Sequence, residues 1–387
     1  MVIKAFLKDK DERKVKSMKF VVEGIVLADA AFTVCKACAI KTITPVLECI
    51  KLQAKNDSVI LTAYDGEISI EKTIKAEVLE EGEVCVNGKF FSDFVGKISN
   101  CEVVISSDEK GIMIKYDESE SYMQTLSAED FPMIGNNAIS QDNYFETKEN
   151  ILKELITKVS FCCATDESRP ILKGCLLQTQ DGKLTATALD GFRMAYGYCE
   201  TKIGENDLKI VCPARTLNEI SRMLDGEENV KIYADKNRLS VEIKDTLITS
   251  RLYVGEFVKK ENIFPVEFTT TVVVNKNQLL QSIERASVLT RVDKNNLVLF
   301  DIKNGKINVK ANSDMGKVEE TIIAEVEGKE LTIAMNGKYV TDAVKALNEE
   351  EIVLSFNTPV SPFTIENVED KKYQYLVLPV RTSASQV

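Results

Sequence analysis

Cys35-Lys-Ala-Cys38 is the one short motif in this chain whose residue types and spacing match a known chemistry. Redox-active thiol pairs use this separation, one thiolate attacking and the other resolving. Zinc would need two more ligands, and no second Cys-x-x-Cys occurs. The pair falls within Ala28–Ile40, which reads as an amphipathic helix, and residues three apart on a helix share a face. Both thiols are therefore expected to pack into a core, as is the adjacent Cys162-Cys163 pair. Histidine is absent, which removes Ser-His-Asp and Cys-His catalysis, His-ligated metals and His proton shuttles. The carboxylate pairs Glu80-Glu81 and Glu349-Glu350 read as solvated loop charges, and no Gly-Lys pair is followed by Ser or Thr as a Walker A sequence requires. No catalytic residue, metal or cofactor is expected.

The elements that would carry any site must be spread over several domains, because 387 residues exceed one ordinary core. With 44% hydrophobic and 28% charged residues the chain reads as globular. No apolar run is long enough to span a bilayer. Met1 to Ser17 holds six basic and three acidic residues and lacks a secretory h-region, so a cytoplasmic protein with reduced thiols is expected. The net charge of −11 argues against a nucleic-acid partner only if the charge is evenly spread.

A repeat sets the architecture. Ser58–Ile68, Lys183–Arg193 and Lys306–Gly316 each read as strand, turn, strand, with turn aspartates at Asp65, Asp190 and Asp314, spaced 125 and 124 apart. Gly82–Phe91, Leu208–Leu217 and Leu331–Val340 keep the same period and read as strand into helix, with Asn87, Pro213 and Asn336 at the helix starts. The pattern predicts first helices over Ala28–Ile40, Asn150–Phe161 and Gln278–Leu289, and second helices over Lys89–Ile98, Arg215–Leu224 and Lys338–Leu347. An N-terminal extension at 1–17 precedes three domains at 18–139, 140–265 and 266–387. The fold class is α+β.

Across the six helical windows and their leading residues lie twelve basic and seven acidic residues, so the windows carry +5 and the remainder −16. Solubilising Lys/Glu pairs would give helices this look. Six equivalent helices on one side of a sheet would also line a channel, attracting phosphates without reading bases.

Ala164-Thr-Asp-Glu-Ser-Arg-Pro-Ile-Leu-Lys-Gly174, Ala188-Leu-Asp-Gly-Phe-Arg-Met-Ala195, Gly255–Pro265 and Tyr375-Leu-Val-Leu-Pro-Val-Arg381 carry a family signature. From about Met18 to Arg381 the chain resembles the bacterial sliding clamp, the β subunit of DNA polymerase III. The resemblance implies three tandem DNA-clamp repeats, each with two helices on one face of antiparallel sheets, forming half of a closed ring. It further implies a head-to-tail homodimer around double-stranded DNA, and a non-enzymatic tether for the polymerase III α subunit and other proteins bearing clamp-binding motifs. An ATP-driven clamp loader would open the ring. By the same resemblance a partner peptide would enter a pocket of Leu172, Leu189, Gly191, Phe192, Arg193, Met194, Val258, Ile263, Val360, Leu376, Leu378, Pro379 and Arg381. Arg193 and Arg381 are expected to bond peptide carbonyls or acids. Leu189, Phe192 and Val258 stand where the family commonly has Thr, His and Pro. Lys41, Lys153, Arg169, Arg215 and Arg222 are the expected DNA contacts. Met123 of the first domain would meet Val288 and Leu289 of the last at the ring seam.

Two other readings compete: a peptide-binding scaffold of the same fold that never encircles DNA, and a histidine-free hydrolase or oxidoreductase built on Cys35.

Overall fold

The computed structural model describes residues 17–98, 101–132, 139–290 and 296–381. Apart from Ser17, the expected N-terminal extension lies outside the described residues. Among those residues six α-helices form: α1 (Gly24–Cys35), α2 (Gly88–Val95), α3 (Glu149–Val159), α4 (Ala214–Met223), α5 (Lys276–Thr290) and α6 (Gly337–Ala346). Each is entered directly from a strand, Lys19–Glu23, Gly82–Asn87, Tyr144–Lys148, Lys209–Pro213, Thr270–Asn275 and Leu331–Asn336 in turn. Burial alternates along the strands that enter α1, α3 and α5, whereas those that enter α2, α4 and α6 bury three or four residues in a row. In Thr270–Asn275, for example, Thr270, Val272 and Val274 are buried alternately, as one covered sheet face requires. Three tandem α+β repeats result.

Local chemistry sets the junctions. The Asn87 side chain accepts from Phe90 N at 3.0 Å, and that of Asn336 accepts from Lys338 N at 2.9 Å, so both cap free amides of the first helical turn. Pro213 precedes α4 without a side-chain cap. In two hairpins the turn aspartate accepts both following amides: Asp65 from Glu67 and Ile68, Asp190 from Phe192 and Arg193. The glycines after them take φ of +101° and +94°, where a side chain is disfavoured. The third hairpin departs from this pattern. Ser313 Oγ, rather than Asp314, accepts the amide of Met315 at 3.3 Å.

The first helix corrects the expected span. It starts at Gly24, whose amide donates to Cys101 O at 2.8 Å, and ends at Cys35 rather than Ile40. Ala37 N then donates to Val34 O and Cys38 N to Cys35 O, closing a turn. The buried register Leu27, Ala30, Ala31, Val34 continues into buried Ala37 and Cys38, which is why the sequence reads as a longer helix. Cys35 and Cys38 are therefore not two residues on one helix face.

The described chain falls into two compact units. The first holds the opening repeat together with the strand Thr246–Arg251, which pairs antiparallel with Ile68–Lys75. Helix α1 packs against α2 and on the strands Ser58–Tyr64 and Ile68–Lys75. Lys72 Nζ lies 2.9 Å from Asp29 of α1 and 3.4 Å from Asp245. The second unit holds the rest of the second repeat and all of the third. Its nine-stranded sheet runs Lys209–Pro213, Gly174–Gln180, Lys183–Leu189, Arg193–Glu200, Tyr373–Val377, Phe363–Asn367, Glu351–Phe356, Thr270–Asn275, Glu325–Gly328. A four-stranded sheet runs Gly316–Ile323, Lys306–Ser313, Leu297–Lys303, Leu331–Asn336. Helix α3 packs on Lys183–Leu189 and Arg193–Glu200, and α5 on the four-stranded sheet. No helix among the described residues is long and apolar enough to cross a membrane.

Replacing the α6 cap, Asn336→Ala, is expected to cost about 1 kcal/mol. A lowered denaturant midpoint restored by Asn336→Ser is the expected result.

Candidate functional site

In the second unit the strand Arg193–Glu200 pairs antiparallel with Tyr373–Val377, Arg193 opposite Val377 and Met194 opposite Leu376. The second and third repeats thereby share one sheet. Beside this junction lies a buried apolar cluster of Ala164, Leu172, Leu176, Leu189, Met194, Val211, Phe257 and Leu376, with Ile171, Tyr253, Ile263 and Phe264 packed on it. Four expected pocket residues, Leu172, Leu189, Met194 and Leu376, thus belong to its floor, and Ile263 covers it. Phe192, Val258 and Val360 are 60%, 37% and 47% exposed. The tail Leu378–Arg381 is held by its backbone, Leu378 N donating to Phe192 O at 2.9 Å and Val380 N to Ala334 O at 2.8 Å. Leu378 and Pro379 are half-buried and Arg381 is exposed. A buried greasy floor beside exposed apolar side chains suits the apolar anchors of a short peptide.

Arg193 corrects its expected role. Its side chain is only 11% exposed, and each guanidinium nitrogen has an internal partner. Nε donates to Asp190 at 2.9 Å, Nη1 to Asp342 at 2.7 Å and Nη2 to Phe161 O at 3.1 Å. The guanidinium also lies over the rings of Tyr339 (4.6 Å) and Phe161 (5.4 Å). It ties the turn of the second repeat to α6 of the third, with one N–H of each nitrogen engaged inside the fold. Arg381 keeps the expected availability. Phe192 stacks on Tyr339 with centroids 6.3 Å apart, so its exposed ring is held from one side. Tyr339, Asp342, Phe161 and Phe257 were missed from sequence, since they reach the site from three separate segments, the first two from α6. The aromatic shared by Gly-Lys-Phe90 and Gly-Lys-Tyr339 was the one available signal.

The expected DNA contacts have unequal surroundings. Lys41 is exposed in the segment after α1 and Arg215 is exposed on α4. Lys153 Nζ donates to Leu224 O at 2.8 Å, capping the end of α4. Arg222 pairs with Glu219. Arg169 is exposed and lies beside the pocket turn, its Nη2 3.5 Å from where a Cβ on Gly191 would stand. Other helix cations are also paired, Lys158 with Glu154, Arg285 with Glu320, Lys338 with Asp342 and Lys345 with Glu284. Such partly exposed pairs are worth about 0–1 kcal/mol and exchange readily with phosphate.

At the expected seam, Val288 is 59% exposed on α5 and Leu289 is half-buried. Met123 contradicts its expected role, being 5% exposed in the core of its own repeat. Strand alternation turns Tyr122 and Gln124 outward instead.

The chain matches the DNA polymerase III beta subunit N-terminal domain over residues 18–135, its central domain over 146–259 and its C-terminal domain over 261–381. The beta sliding clamp of Bacillus subtilis is 32% identical over 379 residues, covering 94% of this chain and 100% of the relative. That of Staphylococcus epidermidis is 30% identical, covering 90% and 95%. Among solved structures, the Bacillus subtilis DNA polymerase sliding clamp superposes with a TM-score of 0.90, covering 94% of this chain and 99% of that one, at 32% identity. The DNA polymerase III beta chain of Streptococcus pneumoniae does so with 0.88, covering 94% and 100%, at 29% identity. Three consecutive domain matches in one order, on a fold of three strand–helix repeats, leave one assignment: the chain belongs to the DNA polymerase III beta subunit family, the beta sliding clamps.

Proposed function

We propose that two copies of this chain close head to tail around duplex DNA, each contributing three domains at 18–139, 140–265 and 266–387, and hold partner proteins at the apolar pocket beside Phe192. What supports the tether is a buried apolar cluster shared by two repeats, together with the exposed apolar side chains of Phe192, Val258 and Val360. Polymerase III α subunit, the ATP-driven loader and other motif-bearing proteins would compete for it through short peptides. Leu172, Leu189, Met194, Leu376 and Ile263 receive the apolar anchors, while Gly191, Leu378, Pro379 and Arg381 shape the rim. Arg193 supports the rim from beneath.

Unused strand edges support closure. Among the described residues, Gly316–Ile323 of the last repeat pairs only with Lys306–Ser313. Ser119–Leu126 of the first pairs along its length with Gly111–Tyr116, but on its other side only Thr125 and Leu126 have partners. Open edges invite pairing with another chain, and a ring uses both. Val288 and Leu289 would pack beside this seam against Tyr122. DNA binding is sequence-independent, through Lys41, Arg169, Arg215 and Arg222 together, with Lys153 close by. The protein works in the cytoplasm as a non-catalytic factor.

The protein loaded on a nicked circle is expected to stay bound at high salt and to slide off once the circle is linearised; retention unchanged by linearisation would overturn the topological reading. Val360→Asp is expected to weaken partner-peptide binding at least tenfold while sedimenting as a dimer, and unchanged peptide affinity would remove the pocket assignment. Leu289→Lys is expected to sediment as a monomer, so a persistent dimer would exclude that seam.

A further inference from the structure

The turn that follows α1 carries a pair of thiols that clamp work does not use. Among the described cysteines only Cys35 and Cys101 are not buried. Cys35 is the last residue of α1, and the bond from Cys38 N to Cys35 O, 3.0 Å, closes a four-residue turn between them. Such a turn brings its end Cα atoms within about 7 Å, near the span of about 4.4–6.8 Å that a disulfide bridges. Cys38 Sγ lies against Gly88, the first residue of α2, in space that a Cβ there would fill.

We propose that Cys35 and Cys38 are a dithiol site that reacts with low-molecular-weight disulfides and closes into an intrachain Cys35–Cys38 bond. The Cys35 thiolate attacks one sulfur of the small disulfide, forming a mixed disulfide and expelling one thiolate, which takes up the proton lost from Cys35. Cys38 then loses its proton and attacks Cys35 Sγ, expelling the second small thiolate. The protein dithiol is oxidised by two electrons and the small disulfide is reduced to two thiols.

The surroundings divide the roles. The neighbouring Cys38 thiol, followed by Lys89 and Lys36, holds the Cys35 thiol down at about 7 against the opposing effects of burial and Asp93. Cys38 is pushed well up by Cys35 and by burial, with Cys49 and Asp65 adding to the effect, so it keeps its proton and acts second. At pH 7 about half of Cys35 is thiolate against a few per cent of an ordinary thiol, and its lower intrinsic nucleophilicity takes back a factor of about five. About a threefold faster attack remains. Cys101 is the internal comparison, since burial and Asp117 push its thiol up. The new bond would stiffen the root of the segment carrying Lys41, which leaves this turn through Ala39 N donating to Leu47 O at 2.9 Å.

The full-length protein is treated with oxidised glutathione and mapped by non-reducing peptide mass spectrometry. A Cys35–Cys38 cross-link is expected in the wild-type chain, a stalled mixed disulfide on Cys35 in Cys38→Ser, and no uptake at this turn in Cys35→Ser. Iodoacetamide labelling of Cys35 should precede that of Cys101 and reach half its maximal rate near pH 7. A wild-type chain that retains both thiols after this treatment, or labelling of Cys101 ahead of Cys35, would overturn the proposal.

Discussion

The second and third repeats meet along one strand pair, Arg193–Glu200 against Tyr373–Val377, and the Arg193 side chain secures it. A guanidinium this buried is tolerable only with its nitrogens satisfied, and Asp190, Asp342 and the Phe161 carbonyl do that while two aromatic rings cover its faces. Removing any one partner would leave a guanidinium N–H without its acceptor inside the fold. The arrangement is cooperative for that reason. It fixes the turn at Gly191, the ring of Phe192 and the course of the C-terminal strand together.

The buried apolar cluster beside the strand pair is a consequence of that junction. Leu376 enters the apolar floor because it sits opposite Met194 in the shared sheet, and the segment 252–265 closes over it through Phe257 and Ile263. Lys260 helps hold that segment, its ammonium 3.8 Å from the centre of the Tyr196 ring and bonded to Gln374. Phe192 and Val258 leave apolar surface exposed beside the cluster.

Electrostatics work on a looser scale. The chain carries −11 overall, while its six helices hold nine basic and seven acidic residues and so lean slightly positive. Most of these cations are held by a neighbouring carboxylate or by the carbonyl at a helix end rather than standing free. Weak, exchangeable pairs of this kind suit a surface that must attract phosphate without gripping it, because no contact costs much to break.

The three-fold repeat, the strand-into-helix junctions and the caps at Asn87 and Asn336 were legible in the sequence, because each depends on periodicity or on chemistry within a few residues. The apolar residues assigned to the pocket were named through family resemblance alone; their pattern is that of ordinary strand core. The end of α1 was not legible, since the buried register runs on through Ala37 and Cys38 whether the backbone is helical or turning. Nor was the work of Arg193, whose partners Phe161, Asp190 and Asp342 come from three separate segments. Met123 turned out to face its own core for a related reason: sequence shows that neighbours on a strand face opposite ways, and only packing shows which of them faces the core. Local periodicity thus determined the elements and their order, while long-range contacts decided which side chains are free to meet a partner.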